Sequence, residues 1–180
     1  MEVIKTPLEG LLVIEPKVFK DHRGYFYESY NAEAFKQAGI DAVFVQDNQS
    51  LSQKGILRGL HFQAPPHAQG KLVRVIKGAV LDVVVDIRKN SPTYGQHFSI
   101  ELTEDNFKMF WIPAGFAHGF VTLEDHTIFS YKCTDVYNKA AEGGLLWNDP
   151  ELGINWGIEQ PVLSEKDTLN PSLKNFSSPF

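Results

Sequence analysis

The chain has 180 residues, of which 43% are hydrophobic and 22% are charged, and its formal net charge at pH 7 is −5. This length predicts one domain without a linker, and the balance of apolar and charged residues excludes a disordered tail. The net negative charge also disfavours a general nucleic-acid binder, so we expect no nucleic-acid partner and only a local cationic site.

The cysteine count and the N-terminus bear on the cellular compartment. Cys133 is the one cysteine, and a single thiol cannot form an internal disulfide. Residues 1–7 lack the basic start and apolar core of a signal peptide, and no apolar run is long enough to span a bilayer. We therefore expect a cytoplasmic protein without a membrane partner.

Short segments of alternating polarity fill the first two-thirds of the chain. Strands are predicted at residues 11–18, 24–30, 42–48, 56–62, 71–77, 80–87, 96–102, 108–112, 117–123 and 127–133. A short helix is predicted at 31–38, with Asn31 as its N-cap and Gly39 at its C-terminal stop. Beyond residue 135 we expect turns and short helices packed against the strands. The pattern predicts a mainly β, antiparallel sandwich or barrel.

The predicted strand at 56–62 carries the most informative polar residues. His61 and Gln63 alternate with apolar neighbours, so one face of this strand is polar. A lone histidine there is either a satisfied core residue or a base inside a pocket. Arg58 and His61 have opposite parity, so both side chains reach one pocket only if Gly59 introduces a bulge or a bend.

Several other polar residues remain open to two interpretations. Gln46 and Asn48 share a strand face, where their amides either bind a ligand or form the solvent side of an edge strand. Asp82 and Asp86 interrupt the apolar run 80–87 and need partners, through salt bridges or in catalysis. Tyr131, taken in isolation, is a core aromatic whose hydroxyl needs a partner.

Metal binding is argued against by the spacing of two motifs. The turn from Pro113 to His118 resembles the second motif of the cupin superfamily, in which a later histidine joins two histidines of the first motif. Here the first pair reads His61 and Gln63, and an amide is a poor replacement for an imidazole toward a transition metal. We therefore expect no metal and no other cofactor, although His67 can offer a nitrogen from a loop.

The joint order of these motifs resembles the dTDP-4-dehydrorhamnose 3,5-epimerase family, which consists of metal-free cupins of the deoxysugar pathway. The resemblance is carried by segments along most of the chain, at residues 15–19, 21–24, 26–31, 44–48, 57–63, 70–74, 82–88, 112–120, 131–132, 146–149 and 163–167. It implies a cupin-like jelly roll over residues 1–180, forming a homodimer in which an N-terminal strand crosses to the partner and completes its site. The C-terminal tail is expected to pack on the barrel.

The same resemblance implies a substrate and a set of roles. The substrate is dTDP-4-dehydro-6-deoxy-glucose, which is epimerised at C3 and C5 through an enolate on the way to dTDP-L-rhamnose. His61 is implied as the base, Asp167 as its orienting carboxylate, Tyr131 as the acid on the opposite face, and Lys71 as the cation facing the carbonyl oxygen. The implied substrate contacts are Arg23, Phe26, Glu28, Gln46, Asp47, Asn48, Arg58, His118, Tyr137, Glu142 and Lys166, with Tyr137 stacking on thymine.

Three alternatives remain open from the sequence. One is a relative that inverts a single centre, or moves the ketone, of a related nucleotide sugar. The second is a metal-dependent cupin such as a dioxygenase or a metal isomerase. The third is a non-catalytic sugar-binding jelly roll, since a fold alone does not fix a function.

Overall fold

Thirteen strands dominate the computed structural model, which describes residues 1–180. In chain order they are β1 (Glu2–Lys5), β2 (Leu12–Glu15), β3 (Phe19–Asp21), β4 (Gly24–Phe26), β5 (Gln46–Ser52), β6 (Leu57–Gln63), β7 (Lys71–Lys77), β8 (Ala79–Asp86), β9 (His97–Thr103), β10 (Met109–Ile112), β11 (Phe116–Thr122), β12 (Thr127–Cys133) and β13 (Glu142–Gly144). The helices are α1 (Ala32–Gln37) and α2 (Glu165–Thr168), with 3-10 turns at Lys139–Ala141 and Leu173–Asn175.

The strands form two large antiparallel sheets and a separate hairpin. One sheet has the order β1-β2-β10-β7-β12-β5 and the other has the order β13-β6-β11-β8-β9, while β3 and β4 pair only with each other. Consecutive strands alternate between the two sheets over much of the chain, which is how a jelly roll is built. The expected mainly β, antiparallel architecture with a few short helices is confirmed.

The apolar core is divided into layers by these sheets. Thirteen buried residues, among them Val73, Val84 and Phe129, pack as one cluster that joins the two sheets. A second cluster packs Val83 and Val85, on the other side of β8, against Leu152 and Trp156 of the C-terminal segment. Alternate residues of β8 thus serve two cores, which explains why this strand reads as a nearly continuous apolar run.

Helix α1 follows the sequence prediction closely. The Asn31 side chain accepts a hydrogen bond from the Ala34 N–H at 3.2 Å, as an N-cap does. The buried ring of Phe35 packs beside Ile14, Leu72 and Met109 on the outer face of the six-stranded sheet. The helix therefore covers one end of that sheet.

Several strand boundaries differ from the predicted ones. Residues 11–18 hold only β2, because Pro16 cannot donate to a ladder. The strand predicted at 24–30 ends at Phe26, and the strand predicted at 42–48 begins at Gln46, where pairing with β12 starts. Strand β1 was not predicted, since it is a four-residue edge strand with charged residues at both ends. None of the helices is both long and apolar enough to cross a membrane.

The carboxylate of Asp86 is a structural group. It lies fully buried at the end of β8 and accepts hydrogen bonds from Arg88 Nη2 at 2.7 Å and from the hydroxyls of Ser91 and Thr93 at 2.6 Å each. Burial alone would raise the pKa of Asp86, but these donors outweigh it and lower the pKa to about 2. Asp86 therefore secures the loop between β8 and β9.

We expect the Asp86→Asn variant to lose at least about 2 kcal/mol of unfolding free energy at pH 7, because lowering the pKa from 3.8 to about 2 is stabilisation of the folded state by the ionised carboxylate. A depressed folded-state pKa contributes stability above pH 3.8, and this contribution is lost as the pH falls toward about 2. Urea unfolding of both proteins at pH 7 and between pH 4 and pH 2.5 measures the difference. A difference that does not narrow in acid would contradict this role.

Candidate active site

A pocket of about 530 Å³ lies between the two sheets, with the C-terminal segment at its rim. It is lined from both sheets and from that segment, chiefly by Asn48, Arg58, His61, Lys71, His118, Tyr131, Lys166 and Asp167. A smaller adjoining cavity of about 120 Å³ shares Asn48, His61, Lys71 and Tyr131 and adds Gln46, Tyr137 and Glu142. Eleven of the fifteen residues predicted as site residues thus meet in one continuous space.

The irregularity at Gly59 lets one strand supply two of these groups. In the pairing of β6 with β11, His61 lies opposite His118 and Arg58 lies opposite Phe120, so β6 has one extra residue. Gly59 has a φ of +141°, and a Cβ placed there would lie 2.5 Å from the Cα of Gly119. The condition that the sequence left open is therefore met, because β6 bulges at Gly59 and Arg58 and His61 both line the pocket.

His61 and Asp167 form a short polar contact in the pocket. The distance from His61 Nε2 to Asp167 Oδ1 is 2.5 Å, and the side chain of Asp167 is 4% exposed while that of His61 is 30% exposed. Burial alone would raise the pKa of Asp167, but the hydrogen bonds from His61 and from the Gly59 and Ser164 groups lower it below its usual value. The ionised carboxylate holds the proton on Nε2 and leaves the lone pair of Nδ1 for a ligand.

Helix α2 places Asp167 at this position. Ser164 caps the helix, and its hydroxyl accepts from the Asp167 N–H at 3.3 Å. Asp167 lies in the first turn, where a negative charge is favoured by the helix dipole. Ser164 was not predicted as part of the site, although a serine three residues before an acidic residue is a recognisable N-terminal capping pattern.

Lys71 supplies a cation to the pocket. Its ammonium lies 6.0 Å from the centre of the Tyr131 ring, and it is not among the salt-bridged lysines, which are Lys36, Lys108, Lys132 and Lys166. Burial lowers the pKa of Lys71, although nearby Cys133, Asp82 and Glu142 act in the opposite direction. The ammonium is therefore poorly compensated, and a developing negative charge in the pocket would be its natural partner.

Tyr131 enters from the sheet opposite to that of His61. It lies on β12, where it pairs with Asn48 of β5 and Val73 of β7, whereas His61 lies on β6. Burial raises the pKa of the Tyr131 hydroxyl above its usual value, so that it remains protonated at neutral pH. An imidazole and a protonated phenol thus reach the pocket from its two walls.

His118 is held by a second carboxylate. Its Nε2 lies 2.9 Å from Oδ2 of Asp82, which is fully buried on the neighbouring strand β8. Burial raises the pKa of Asp82 despite the opposing effect of His118, and the Oδ1 atom of Asp82 has no hydrogen-bond partner. The role left open for Asp82 is therefore to fix His118 at the pocket wall.

A polar rim continues from the pocket into the smaller cavity. Glu142 forms an ion pair with Lys166 and accepts from the hydroxyl of Tyr137 at 3.1 Å. Burial alone would raise the pKa of Glu142, but Lys166, Tyr137 and His61 lower it below its usual value. Glu142 lies beside Gln63 in the pairing of β13 with β6, so the rim is tied to the strand that carries His61.

Four of the predicted contacts lie outside this space. Asp47 points away from it because β5 alternates its side chains, and its carboxylate pairs with Lys132 Nζ at 3.0 Å. Arg23 is 78% exposed at the tip of the β3–β4 hairpin, where it pairs with Asp21. Phe26 and Glu28 belong to the same region, and the Phe26 ring is exposed. Within one chain, none of these four side chains lines the pocket or the smaller adjoining cavity.

Metal ligands do not converge in the pocket. No group of three His, Cys, Asp or Glu side chains is arranged to hold a metal ion. Gln63 directs its amide to backbone groups, and His67 pairs with Asp135 at 3.3 Å. What the pocket does offer is an oriented imidazole, a protonated phenol and a cation, the groups needed to move a proton on a carbon acid.

Comparison with known proteins agrees with this geometry. The family model described as dTDP-4-dehydrorhamnose 3,5-epimerase matches residues 5–175. The dTDP-4-dehydrorhamnose 3,5-epimerase of Salmonella typhimurium is 53% identical over 175 residues, which are 96% of each chain. A crystal structure of a dTDP-6-deoxy-D-glucose-3,5-epimerase from Legionella pneumophila, in complex with dTDP-4-keto-L-rhamnose, is 48% identical with a TM-score of 0.94, covering 98% of this chain and 94% of that one.

A more distant solved neighbour is named as a monoepimerase. The structure of a 3'-monoepimerase from Streptomyces bikiniensis, in complex with dTDP-quinovose, is 36% identical with a TM-score of 0.90 and covers 94% of this chain and 86% of that one. The cupin-like fold is therefore shared by proteins named as 3,5-epimerases and by a protein named as a 3'-monoepimerase. The family match along nearly the whole sequence, and an identity of about half to curated members, show that the chain belongs to the dTDP-4-dehydrorhamnose 3,5-epimerase family.

Proposed function

We propose that this enzyme epimerises dTDP-4-dehydro-6-deoxy-glucose at C3 and C5 to give dTDP-4-dehydro-L-rhamnose. The observation that carries the proposal is the placement of three side chains in one pocket. His61 lies on one sheet and is oriented by Asp167, Tyr131 lies on the other sheet, and Lys71 lines the same pocket. Inversion at a carbon requires proton removal from one face and return to the other. Groups on opposite walls of a pocket meet this requirement.

In the proposed first step, His61 Nδ1 takes the proton from the carbon beside the ketone. The electron pair of the broken C–H bond moves to the carbonyl oxygen and gives an enolate, while His61 becomes an imidazolium. Asp167, 2.5 Å from Nε2, stabilises this cation as it forms. The C–H bond is only weakly acidic, so the step also depends on stabilising the oxygen.

Lys71 is the group proposed to stabilise the enolate oxygen. Its ammonium has no salt bridge and lines the same pocket as His61, and desolvation there lowers the pKa of Lys71. A preorganised donor of this type contributes roughly 3 to 4 kcal/mol to the transition state. Burial disfavours an ammonium that has no ion-pair partner. The Lys71 ammonium is therefore stabilised most when negative charge develops on the substrate.

Tyr131 is proposed to return the proton on the opposite face. Its raised pKa keeps the phenol protonated until the carbanion needs a proton. General acid catalysis of this kind contributes roughly a hundred- to ten-thousandfold. His61 then releases its proton to solvent and the Tyr131 phenolate takes one up, after which the same sequence at the second carbon beside the ketone inverts both centres.

The nucleotide is proposed to extend along the polar rim. Arg58 and Lys166 provide positive charge for the diphosphate, and Asn48, His118 and Glu142 offer hydrogen-bonding groups. The exposed ring of Tyr137 is available to stack on thymine. Gln46 joins this rim through its contact with the Tyr137 backbone N–H at 2.8 Å.

We further propose that a homodimer completes the site, with the N-terminal part of one chain reaching the other. Arg23, Phe26, Glu28 and Asp47 do not meet the pocket of their own chain. The hairpin that carries Arg23 also exposes the apolar rings of Phe19, Tyr25 and Phe26, a group that a partner chain would cover. We assign the enzyme to the cytoplasm, where the buried thiol of Cys133 remains reduced.

The one-centre reaction is the second candidate, because the Streptomyces bikiniensis neighbour is a 3'-monoepimerase. Proton NMR in deuterated water with dTDP-4-dehydro-6-deoxy-glucose distinguishes the two-centre reaction from the one-centre reaction. We expect deuterium at both carbons beside the ketone. The His61→Ala variant should exchange neither proton while still binding dTDP, because only the base is removed.

His97→Ala, on β9 and away from the pocket, is the matched control and should exchange like the parent protein. Label at one carbon only would establish the one-centre reaction. Exchange retained by His61→Ala would reject His61 as the base.

The Tyr131→Phe variant should slow product formation more than deuterium exchange. The phenol is needed to complete inversion, whereas His61 still removes and returns a proton on its own face, and the expected loss of turnover is about a hundred- to ten-thousandfold. Both rates are read from the same NMR time course. Tyr94→Phe, outside the pocket, serves as control. Equal losses of exchange and turnover would place Tyr131 elsewhere in the mechanism.

The dimer proposal predicts complementation between two defective chains. Arg23→Ala should mainly raise KM, and His61→Ala should abolish turnover. If Arg23 acts on the partner's pocket, a mixed dimer holds one intact site, so random co-assembly restores roughly a quarter of the sites. Co-expressed chains are assayed at substrate concentrations below KM. Activity no higher than that of the Arg23→Ala protein would show that Arg23 acts within its own chain.

A further inference from the structure

Three glutamine side chains hold the backbone of residues 135–138, between β12 and β13. Gln69 Nε2 donates to the Asp135 carbonyl at 2.7 Å. Gln63 Nε2 donates to the Val136 carbonyl at 3.2 Å and its Oε1 accepts from the Asn138 N–H at 2.8 Å, while Gln46 Oε1 accepts from the Tyr137 N–H at 2.8 Å. We call Gln46, Gln63 and Gln69 the glutamine cradle.

Apart from these amides, the segment is held at its ends, where Asp135 pairs with His67 and the Asn138 carbonyl accepts from the Ala141 N–H. Residues 135–138 lie outside every strand and helix, and the side chains of Val136 and Tyr137 are exposed. The Tyr137 hydroxyl donates a hydrogen bond to Glu142. The Tyr137 backbone N–H, in contrast, is held by the glutamine cradle. The direction of the Tyr137 ring, which borders the small cavity beside His61, therefore depends on these amides.

Gln63 is the central member of the cradle. The residue is 5% exposed, and its amide nitrogen also donates to the His67 carbonyl at 2.7 Å. Its two N–H groups and its oxygen are thus all used on backbone partners. Gln63 lies two residues after His61 on β6, so the strand that carries the imidazole also carries the main support of the 135–138 segment.

A histidine at position 63 could not make these contacts. The Gln63 amide donates two hydrogen bonds and accepts one. An imidazole has only two ring nitrogens, so it can make at most two hydrogen bonds. The residue that differs from the metal-binding cupin pattern is accordingly committed to holding a loop. Without Gln63, the Val136 carbonyl and the Asn138 N–H would lose these hydrogen-bond partners.

We propose that Gln63, supported by Gln46 and Gln69, is a positioning residue that fixes Tyr137 for the aromatic base of the nucleotide. The proposal rests on the proposed function, because it assigns the nucleobase to Tyr137. Gln63 does not touch the reacting atoms. It acts on affinity through the orientation of the Tyr137 ring.

The test variant is Gln63→Met, which keeps the length of the side chain and removes all three hydrogen bonds. We expect KM for the nucleotide sugar and Kd for dTDP, measured by calorimetry, each to rise about tenfold, the effect of an unpaired buried polar group. The value of kcat should change much less, because His61, Tyr131 and Lys71 keep their places. In a Tyr137→Ala background the same substitution should add less than about twofold, since coupled residues are not additive.

Gln37→Met, on the exposed face of α1, is the control and should bind dTDP like the parent protein. An unchanged KM and Kd, a loss confined to kcat, or full additivity with Tyr137→Ala would overturn the proposal. If Gln63→Met does not fold, the Gln69→Met variant removes a single hydrogen bond instead. It should raise KM and Kd about threefold each while kcat changes much less. Failure of the parent protein to bind dTDP would reject the proposed function itself, whereas a parent that binds and turns over with an unaffected Gln63→Met rejects only this inference.

Discussion

The contact between His61 and Asp167 is the interaction on which the arrangement of the pocket depends. It joins the second sheet to a four-residue helix located 106 residues later in the chain. Without this carboxylate neither the orientation nor the tautomer of the imidazole would be fixed, and the C-terminal segment would lose one of its two polar anchors at the pocket, the other being the pairing of Lys166 with Glu142. The same contact therefore orients the imidazole, sets its proton and helps to attach the wall of the site.

Buried charge is handled differently at each point of the pocket. Asp167 is fully satisfied by donors and has a lowered pKa, Asp82 has one satisfied oxygen and a raised pKa, and Lys71 has no salt bridge. Burying Asp82 and Lys71 without full compensation of their charges costs free energy of folding. The burial of apolar residues on both sides of β8 must offset this cost. Of the two less satisfied groups, Lys71 lines the pocket that a charged ligand would enter, which is where an uncompensated cation is useful.

Much of the fold was predictable because period-two patterns dominate β6 to β12, and the cap at Asn31 is a local signal. Strand β1 and the start of β5 were not, since their existence depends on the pairing partners β2 and β12 rather than on their own residues. The polar face of β6 pointed to His61 without further help, but the position of Asp167 required either family resemblance or the folded chain. The glutamine cradle could not be predicted, because amides that bind distant backbone have no sequence spacing of their own.

The location of Asp167 near the C-terminus has a consequence for biosynthesis. A growing chain that has emerged only to residue 160 already contains every strand of both large sheets and the residues His61, Lys71 and Tyr131. It lacks the Asp167 carboxylate that orients the His61 imidazole. This pairing therefore becomes possible only when the last ninth of the chain, residues 161–180, leaves the ribosome, and a protease that trims this segment would remove the carboxylate while leaving every strand of both large sheets in the chain.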